Sequence, residues 1–149
     1  MRVHLISAFP GCGKSTLVKK FHKVQDSDSS LFPKSEFPRN YLKHLRDLAV
    51  AGTPSMISTH LEVRQGLERM GLSYIVVYPH FECKEEYLQR YRDRQSPQAF
   101  IDLLDRMWET WINALRDSEA RQIILNPGQY LSDVLTYKED EQGRPQLWI

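Results

Sequence analysis

The fold is decided by the segment Ala8-Phe9-Pro10-Gly11-Cys12-Gly13-Lys14-Ser15-Thr16, which follows the apolar run Val3-His4-Leu5-Ile6-Ser7. A short strand that ends in a glycine-rich turn and continues through Gly-Lys-Ser into a helix-like segment is typical of a phosphate-binding loop. Gly11 and Gly13 allow the backbone to curl so that several N–H groups point at one anion. We therefore expect Lys14 to contact the β- and γ-phosphates of a nucleotide and the Ser15 hydroxyl to bind Mg²⁺.

One position departs from the pattern G-x-x-x-x-G-K-[ST], because Ala8 stands where the first glycine is expected. Alanine is small and fits there if its φ is negative. The alternative interpretation is an ordinary strand-to-helix turn with an exposed lysine, and the order of strand, loop and amphipathic helix argues against it. The residues expected to bind the nucleotide phosphates are Pro10, Gly11, Cys12, Gly13, Lys14, Ser15 and Thr16.

The length and composition indicate a single domain covering residues 1–149. The formal net charge of +1 argues against a protein that coats nucleic acids, because such proteins are normally basic. No apolar stretch approaches the roughly 20 residues that a membrane-spanning helix needs, so we expect no membrane partner. The N-terminus leads directly into the first strand, so we expect no secretory signal and a cytoplasmic location, in the host cytoplasm if the protein is viral.

The two cysteines, Cys12 and Cys83, are expected to be free thiols in a reducing compartment. Cys12 lies inside the glycine-rich loop. Its oxidation is therefore expected to block phosphate binding.

Strands alternate with helices along the chain, which predicts an α/β fold with a parallel sheet covered by helices on both faces. Strands after the first are predicted near residues 23–25, 54–60, 74–78 and 123–125. A wide apolar stripe from Phe100 to Leu115 predicts the longest helix, and we interpret its tryptophans, Trp108 and Trp111, as core residues rather than as a platform for a base. The tail, about residues 137–149, is predicted to be either a terminal hairpin or a docking arm.

Two carboxylates, Asp26 and Asp28, follow the second predicted strand. In an open parallel sheet, ligands bind beyond the carboxyl ends of the strands, so this position favours a functional role. One carboxylate is expected to act as general base on an acceptor hydroxyl, and the other, with Asp26 as the candidate, to hold Mg²⁺ through water. The alternative is a solvated loop in which the aspartates cap a turn.

The third predicted strand is followed by Ser58, Thr59 and His60, and then by Glu62 and Arg64. Many enzymes with a phosphate-binding loop have an aspartate here that fixes the magnesium shell, and this chain has none. The interpretation therefore relies on Asp26 and Asp28 for metal handling. His60 is expected either to touch the phosphates or acceptor, or to cap or pack against a helix.

An arginine-rich segment follows the fourth predicted strand, within a predicted lid of about residues 83–97. Arg90 and Arg94 are four residues apart and share one helix face, so they are expected to close over the nucleotide and neutralise the phosphoryl group. The alternative is a solvated helix face. After the fifth strand, Asn126 begins a turn on which an adenine ring is expected to rest, although a simple turn would have the same sequence.

These features together resemble the P-loop nucleoside and nucleotide kinases, and in particular small kinase-like proteins of bacteriophages. The resemblance rests on Pro10-Gly11-Cys12-Gly13-Lys14-Ser15, the aspartate-containing loop and the arginine-rich segment, and it covers nearly the whole chain. It implies a three-layer fold whose five parallel strands have the order 2-3-1-4-5, with Mg²⁺ and ATP as cofactors. It also implies phosphate and metal roles for Lys14 and Ser15, and lid positions for Arg90, Arg92 and Arg94.

The function expected from this pattern is transfer of the γ-phosphoryl group of ATP to a nucleoside or nucleoside monophosphate. Catalysis would consist mainly of positioning and charge stabilisation. One alternative is phosphorylation of a hydroxymethylated base within phage DNA, which would make DNA a partner, although the near-neutral charge argues against a long duplex footprint. Another alternative is a nucleotide-binding regulator without turnover.

Overall fold

The structure, a computed structural model, describes residues 1–149. The centre of the molecule is a sheet of five parallel strands. The order across the sheet is β3-β4-β2-β5-β6. The strands are β2 (Leu5–Ala8), β3 (Gln25–Asp26), β4 (Ser55–Ile57), β5 (Ile75–Pro79) and β6 (Arg121–Leu125). Every residue of β2, β4 and β5 is buried, as expected for central strands covered on both faces. The predicted α/β class, with a five-stranded parallel sheet flanked by helices, is confirmed.

Six helices follow the strands and pack in contacting pairs. They are α1 (Lys14–Lys20), α2 (Arg39–Ala51), α3 (Leu61–Arg69), α4 (Lys84–Asp93), α5 (Gln98–Arg116) and α6 (Leu131–Val134). The pairs are α1 with α6, α2 with α3, and α4 with α5. Helices α2 and α3 approach closely at Gly66, where a Cβ atom would collide with the side chain of Leu42. None of the helices combines the length and the apolar character required to cross a bilayer.

A second, antiparallel sheet joins the two ends of the described chain. It consists of β1 (Arg2–Val3), β7 (Thr136–Glu139) and β8 (Pro145–Trp148), with β8 in the middle. Of the two alternatives for the tail, the structure shows the hairpin. It is formed by β7 and β8, and β8 also pairs with β1.

Several strand limits differ from the sequence prediction, and central strand β4 ends at Ile57, three residues before the predicted limit. The second strand of the parallel sheet begins at Gln25 rather than Lys23, and β6 begins two residues before Ile123. Both edge strands contain exposed residues, so the hydrophobic pattern marks their limits less sharply than in a fully buried strand such as β5. Val24, which lies just before β3, is buried in the core nonetheless.

Candidate functional site

The turn between β2 and α1, residues 9–13, contains two glycines with positive φ, and we call it the glycine loop. Gly11 and Gly13 have φ values of 91° and 97°, a region that favours glycine. Their N–H groups donate to no acceptor within the protein, although Cys12 N–H donates to Phe9 O at 3.2 Å. Ala8 ends strand β2 without a positive φ, so alanine is accommodated there.

Helix α4 fixes the outer side of the glycine loop. Tyr91 Oη donates a hydrogen bond to Pro10 O at 2.7 Å, and Arg90 donates to Gly11 O at 2.8 Å. A Cβ atom on Gly11 would lie 2.9 Å from the ring of Tyr91. The loop carbonyls therefore point toward α4, and any side chain at position 11 would disturb this packing.

Arg90 connects three segments of the chain. Its guanidinium lies between the rings of Tyr87 and Tyr130, 4.3 Å and 3.9 Å from their centroids. It forms an ion pair with Glu86 at 3.0 Å and also donates to Gln129 O at 3.0 Å. Only 11% of the side chain is exposed. Arg90 lines the cavity beside the glycine loop, but its donors are engaged with the protein, so in this structure it supports the loop rather than reaching toward a nucleotide.

Two cavities of similar size meet at Lys14. The first, which we call the loop cavity, has a volume of about 630 Å³ and is lined by the glycine loop, the start of α1, the end of α4 and Tyr130. The second, the α3/α5 cavity, has a volume of about 640 Å³ and lies between those two helices. Phe9, Pro10, Lys14 and Phe100 line both cavities. The structure therefore offers two ligand-sized spaces that share one cationic side chain.

The walls of the α3/α5 cavity are apolar on one side and polar on the other. Helix α5 contributes Phe100, Leu103, Leu104, Trp111 and Leu115. Trp108 is a core residue as predicted, whereas Trp111 is half-buried and faces this cavity. The polar side is formed by residues that follow β3 and β4, among them Asp28, Ser58, Thr59 and His60.

The two candidate aspartates have different positions. Asp28 lines the α3/α5 cavity, whereas Asp26 is exposed at the end of β3 and lines neither cavity. Asp28 Oδ1 accepts a hydrogen bond from Ser30 N–H at 2.9 Å. Hydrogen bonds from Ser30, with a smaller contribution from the charge of Lys14, lower the pKa of Asp28 below its usual range. The structure thus brings Asp28, and not Asp26, together with the glycine loop.

Tyr41 ties together the two polar loops on this side of the cavity. Its hydroxyl donates to Ser27 O at 2.6 Å and accepts from Ser58 N–H at 3.1 Å. The Ser58 hydroxyl is hydrogen-bonded to His60 Nδ1, and His60 packs edge-on against Phe37. His60 therefore lies in the cavity wall with one ring nitrogen engaged.

The remaining predicted residues lie at varied distances from the loop cavity. Arg94 lines it, packs over the rings of Tyr91 and Phe100, and donates to Ser96 Oγ at 3.0 Å. Arg92 is exposed, contacts Gln89 and lines neither cavity. Asn126 also lines neither cavity, and its side chain is hydrogen-bonded to His80 at 3.1 Å.

Cys12 is fully buried beneath the glycine loop. Its Sγ lies 3.9 Å from Val77 O and 3.7 Å from Tyr87 Oη. Burial raises the pKa of the Cys12 thiol to about 12, so very little reactive thiolate exists at neutral pH. The expected block of phosphate binding on oxidation therefore concerns a thiol that is shielded from solvent. Cys83 is buried as well, and both thiols are free.

The oxygen ligands available to a magnesium ion are few. Nowhere in the chain do three carboxylate, imidazole or thiol side chains converge. Magnesium bound to nucleotide phosphates needs only one or two protein oxygens, because it keeps several waters. The Ser15 hydroxyl in the loop cavity and the Asp28 carboxylate in the α3/α5 cavity meet that need. Asp26, the metal ligand expected from the sequence, does not line either space.

Several residues at the site were not singled out from the sequence. Tyr41, Tyr87 and Tyr91 occur at helical spacing and were indistinguishable from ordinary core residues. Arg64 was noted only as a polar neighbour of His60, yet it is buried in the wall of the α3/α5 cavity. The one available signal for Arg64 was its place shortly after a central strand.

Comparison with known proteins gives no family assignment. No protein-family model matches this sequence, and no curated protein matches it either. Functional inference therefore depends on the geometry described above.

Proposed function

We propose that this protein is an ATP-dependent phosphotransferase that moves the γ-phosphoryl group to a nucleoside or a nucleoside monophosphate. The observation that carries the proposal is the pair of ligand-sized cavities that meet at Lys14. A protein that only hydrolysed or sensed a nucleotide would need one such space. A phosphotransferase needs two, one for the donor and one for the acceptor, with the transferred group between them.

The donor triphosphate is assigned to the loop cavity. The unpaired N–H groups of Gly11 and Gly13 and the Lys14 ammonium provide positive charge for its phosphates. Arg94 lines the same space and is the cation available to stabilise charge on the transferring group. Arg90 acts indirectly, because it holds Gly11 and Gln129 in place through their carbonyl oxygens.

The transfer step joins an acceptor oxygen to the γ-phosphorus while the bond from that phosphorus to the bridging oxygen breaks. The electron pair of the broken bond leaves with ADP, and Lys14 stabilises the charge that develops. Where the acceptor oxygen is a hydroxyl, Asp28 orients it and receives its proton. Magnesium, held by Ser15 and through water by Asp28, would neutralise charge on the phosphates.

The decisive experiment compares Lys14→Ala with the control Lys19→Ala, an exposed lysine on the same helix. Radiolabelled ATP is offered with a panel of nucleosides and nucleoside monophosphates, and labelled product is counted. We expect Lys14→Ala to lower transfer by about 100-fold or more with an unchanged circular dichroism spectrum, and Lys19→Ala to behave as the unmodified protein. Normal turnover in Lys14→Ala would refute the proposal.

A nucleotide-binding regulator without turnover is the second candidate. The observation in its favour is that Ser58, Thr59 and His60 follow β4, where a magnesium-binding carboxylate would be expected. Tight ATP binding without product from any acceptor in the panel would establish this alternative.

A further inference from the structure

A buried arginine in the wall of the α3/α5 cavity has no acidic partner. Arg64 lies in the first turns of α3 and is only 4% exposed. Its Nε donates to Thr59 O at 3.2 Å, and the phenol of Tyr74 is the other polar group that its guanidinium contacts. None of the ion pairs in the molecule includes Arg64.

The carboxylate one helical turn beyond Arg64 is already hydrogen-bonded to another residue. Glu68, one turn further along α3, accepts a hydrogen bond from Tyr74 Oη at 2.6 Å. Arg64 lies close enough to Tyr74 to oppose the rise in its pKa that burial and Glu68 produce. Arg64 has polar contacts to Thr59 and Tyr74 but no counter-charge within ion-pair distance to offset the hydration that a largely buried guanidinium loses. Arg64 is therefore placed to pair with an anionic group on a bound ligand.

The charges around the α3/α5 cavity favour an anionic ligand. Its lining includes the cations Lys14 and Arg64 but only one carboxylate, Asp28. The apolar side, formed by α5, suits a planar or apolar group. A neutral nucleoside would fill that side and leave the Arg64 charge without a partner.

We propose that Arg64 binds a phosphate group of the acceptor, which makes the acceptor a phosphate monoester such as a nucleoside monophosphate and not a free nucleoside. This inference rests on the acceptor role that the proposed function gives to the α3/α5 cavity. A guanidinium offers two parallel N–H donors to phosphate oxygens, and lysine offers only a point charge. Arg64 is therefore a specificity-determining residue.

The test measures binding by calorimetry without ATP, so that it does not depend on turnover. The probes are the four common deoxynucleoside 5′-monophosphates and their nucleosides. The proteins are the unmodified chain, Arg64→Gln, Arg64→Lys and the control Arg69→Gln, which removes an exposed arginine from the same helix. Circular dichroism and thermal unfolding establish that each variant is folded.

We expect at least one monophosphate to bind the unmodified protein about 100-fold more tightly than its nucleoside. Arg64→Gln should abolish that preference, Arg64→Lys should restore part of it, and Arg69→Gln should retain all of it. Equal affinity for nucleoside and monophosphate in the unmodified protein would overturn the inference, as would no binding of any monophosphate. These results apply even if Arg64→Gln does not fold. A preference that survives in folded Arg64→Gln would overturn it too.

The Arg64 binding test and the phosphoryl-transfer assay can fail independently of each other. Phosphoryl transfer to nucleosides alone would keep the phosphotransferase and exclude the role of Arg64. Conversely, monophosphate binding that depends on Arg64, combined with no transfer from ATP, would keep the binding site and exclude the phosphotransferase.

Discussion

Asp26 and Asp28 are separated by one residue, yet they differ in their access to the candidate site. Both side chains are exposed, but Asp28 lines the α3/α5 cavity and is held by Ser30, whereas Asp26 lines neither cavity. We therefore expect Asp28→Asn to lower phosphoryl transfer by about 100-fold or more and Asp26→Asn to change it less than about threefold. Both substitutions conserve shape and remove one charge, so each serves as the control for the other. Equal losses in the two variants would contradict the assignment.

The pH dependence of transfer provides a second measurement on Asp28. Hydrogen bonds from Ser30 hold the pKa of Asp28 below its usual range, so the carboxylate is ionised throughout the neutral range. Transfer by the unmodified protein should therefore show no loss due to this group above about pH 5, one unit above the ordinary aspartate pKa. The same sign applies to stability: the contribution of ionised Asp28 is present above its unfolded-state pKa and is lost as the pH falls through the lower folded-state value.

Sequence reasoning identified both aspartates but not the choice between them. The two-residue periodicity of a strand predicts that both carboxylates share one face. Strand β3, however, ends at Asp26, and Ser27 is buried with its hydroxyl hydrogen-bonded to His44. Where the strand ends is set by packing against α2, which no local pattern specifies. Lys14 and Ser15 were easier to single out because the two glycines that form the turn lie within a few residues of them.

At the scale of an element, α4 and the glycine loop form one mechanical unit through Arg90. We expect Arg90→Ala to lower the free energy of unfolding by about 3 kcal/mol, because it removes the ion pair with Glu86, the hydrogen bonds to Gly11 and Gln129, and the contacts with Tyr87 and Tyr130. Arg92→Ala, an exposed position on the same helix, should change it by less than about 0.5 kcal/mol. Urea denaturation gives both values.

The affinity for ATP should also depend on the contact between Arg90 and the glycine loop. Loss of the hydrogen bond from Arg90 to Gly11 O allows the loop to relax, so Arg90→Ala should bind ATP more weakly even where it remains folded. An Arg90→Ala protein with unchanged stability and unchanged ATP affinity would show that the arginine is a solvated surface group, which was the other interpretation of the sequence.

The central sheet was accessible to sequence reasoning because the pattern of buried strands is local, as in the run Ile75–Tyr78, which is buried throughout. The role of α4 in supporting the glycine loop could not be predicted from a local pattern. The partners of Arg90 at Gly11 and Gln129 are 79 and 39 residues away in sequence. A charge pattern on one helix does not reveal whether an arginine will face solvent, a ligand or a distant backbone carbonyl.

At the scale of the whole molecule, the antiparallel sheet connects the end of the described chain to its beginning and to α1. Met1 and Ile149 exchange backbone hydrogen bonds, and Lys23 pairs with Glu139 at 3.1 Å. Phe21, which follows α1, stacks on Tyr137 with a centroid distance of 4.2 Å. Because α1 begins at the glycine loop, the hairpin supports the element that carries Lys14.

Leu147 is the residue through which this support can be tested, because it is completely buried in the central strand of the small sheet and pairs with Val3. We expect Leu147→Ala to lower the free energy of unfolding by about 2–4 kcal/mol, since a buried leucine leaves a cavity when it is truncated. Glu141→Ala, in the exposed turn of the same hairpin, should have almost no effect. Thermal and urea unfolding provide the measurement. If Leu147→Ala is as stable as Glu141→Ala, the hairpin is not part of the folded core and residues 137–149 are the docking arm that the sequence also allowed.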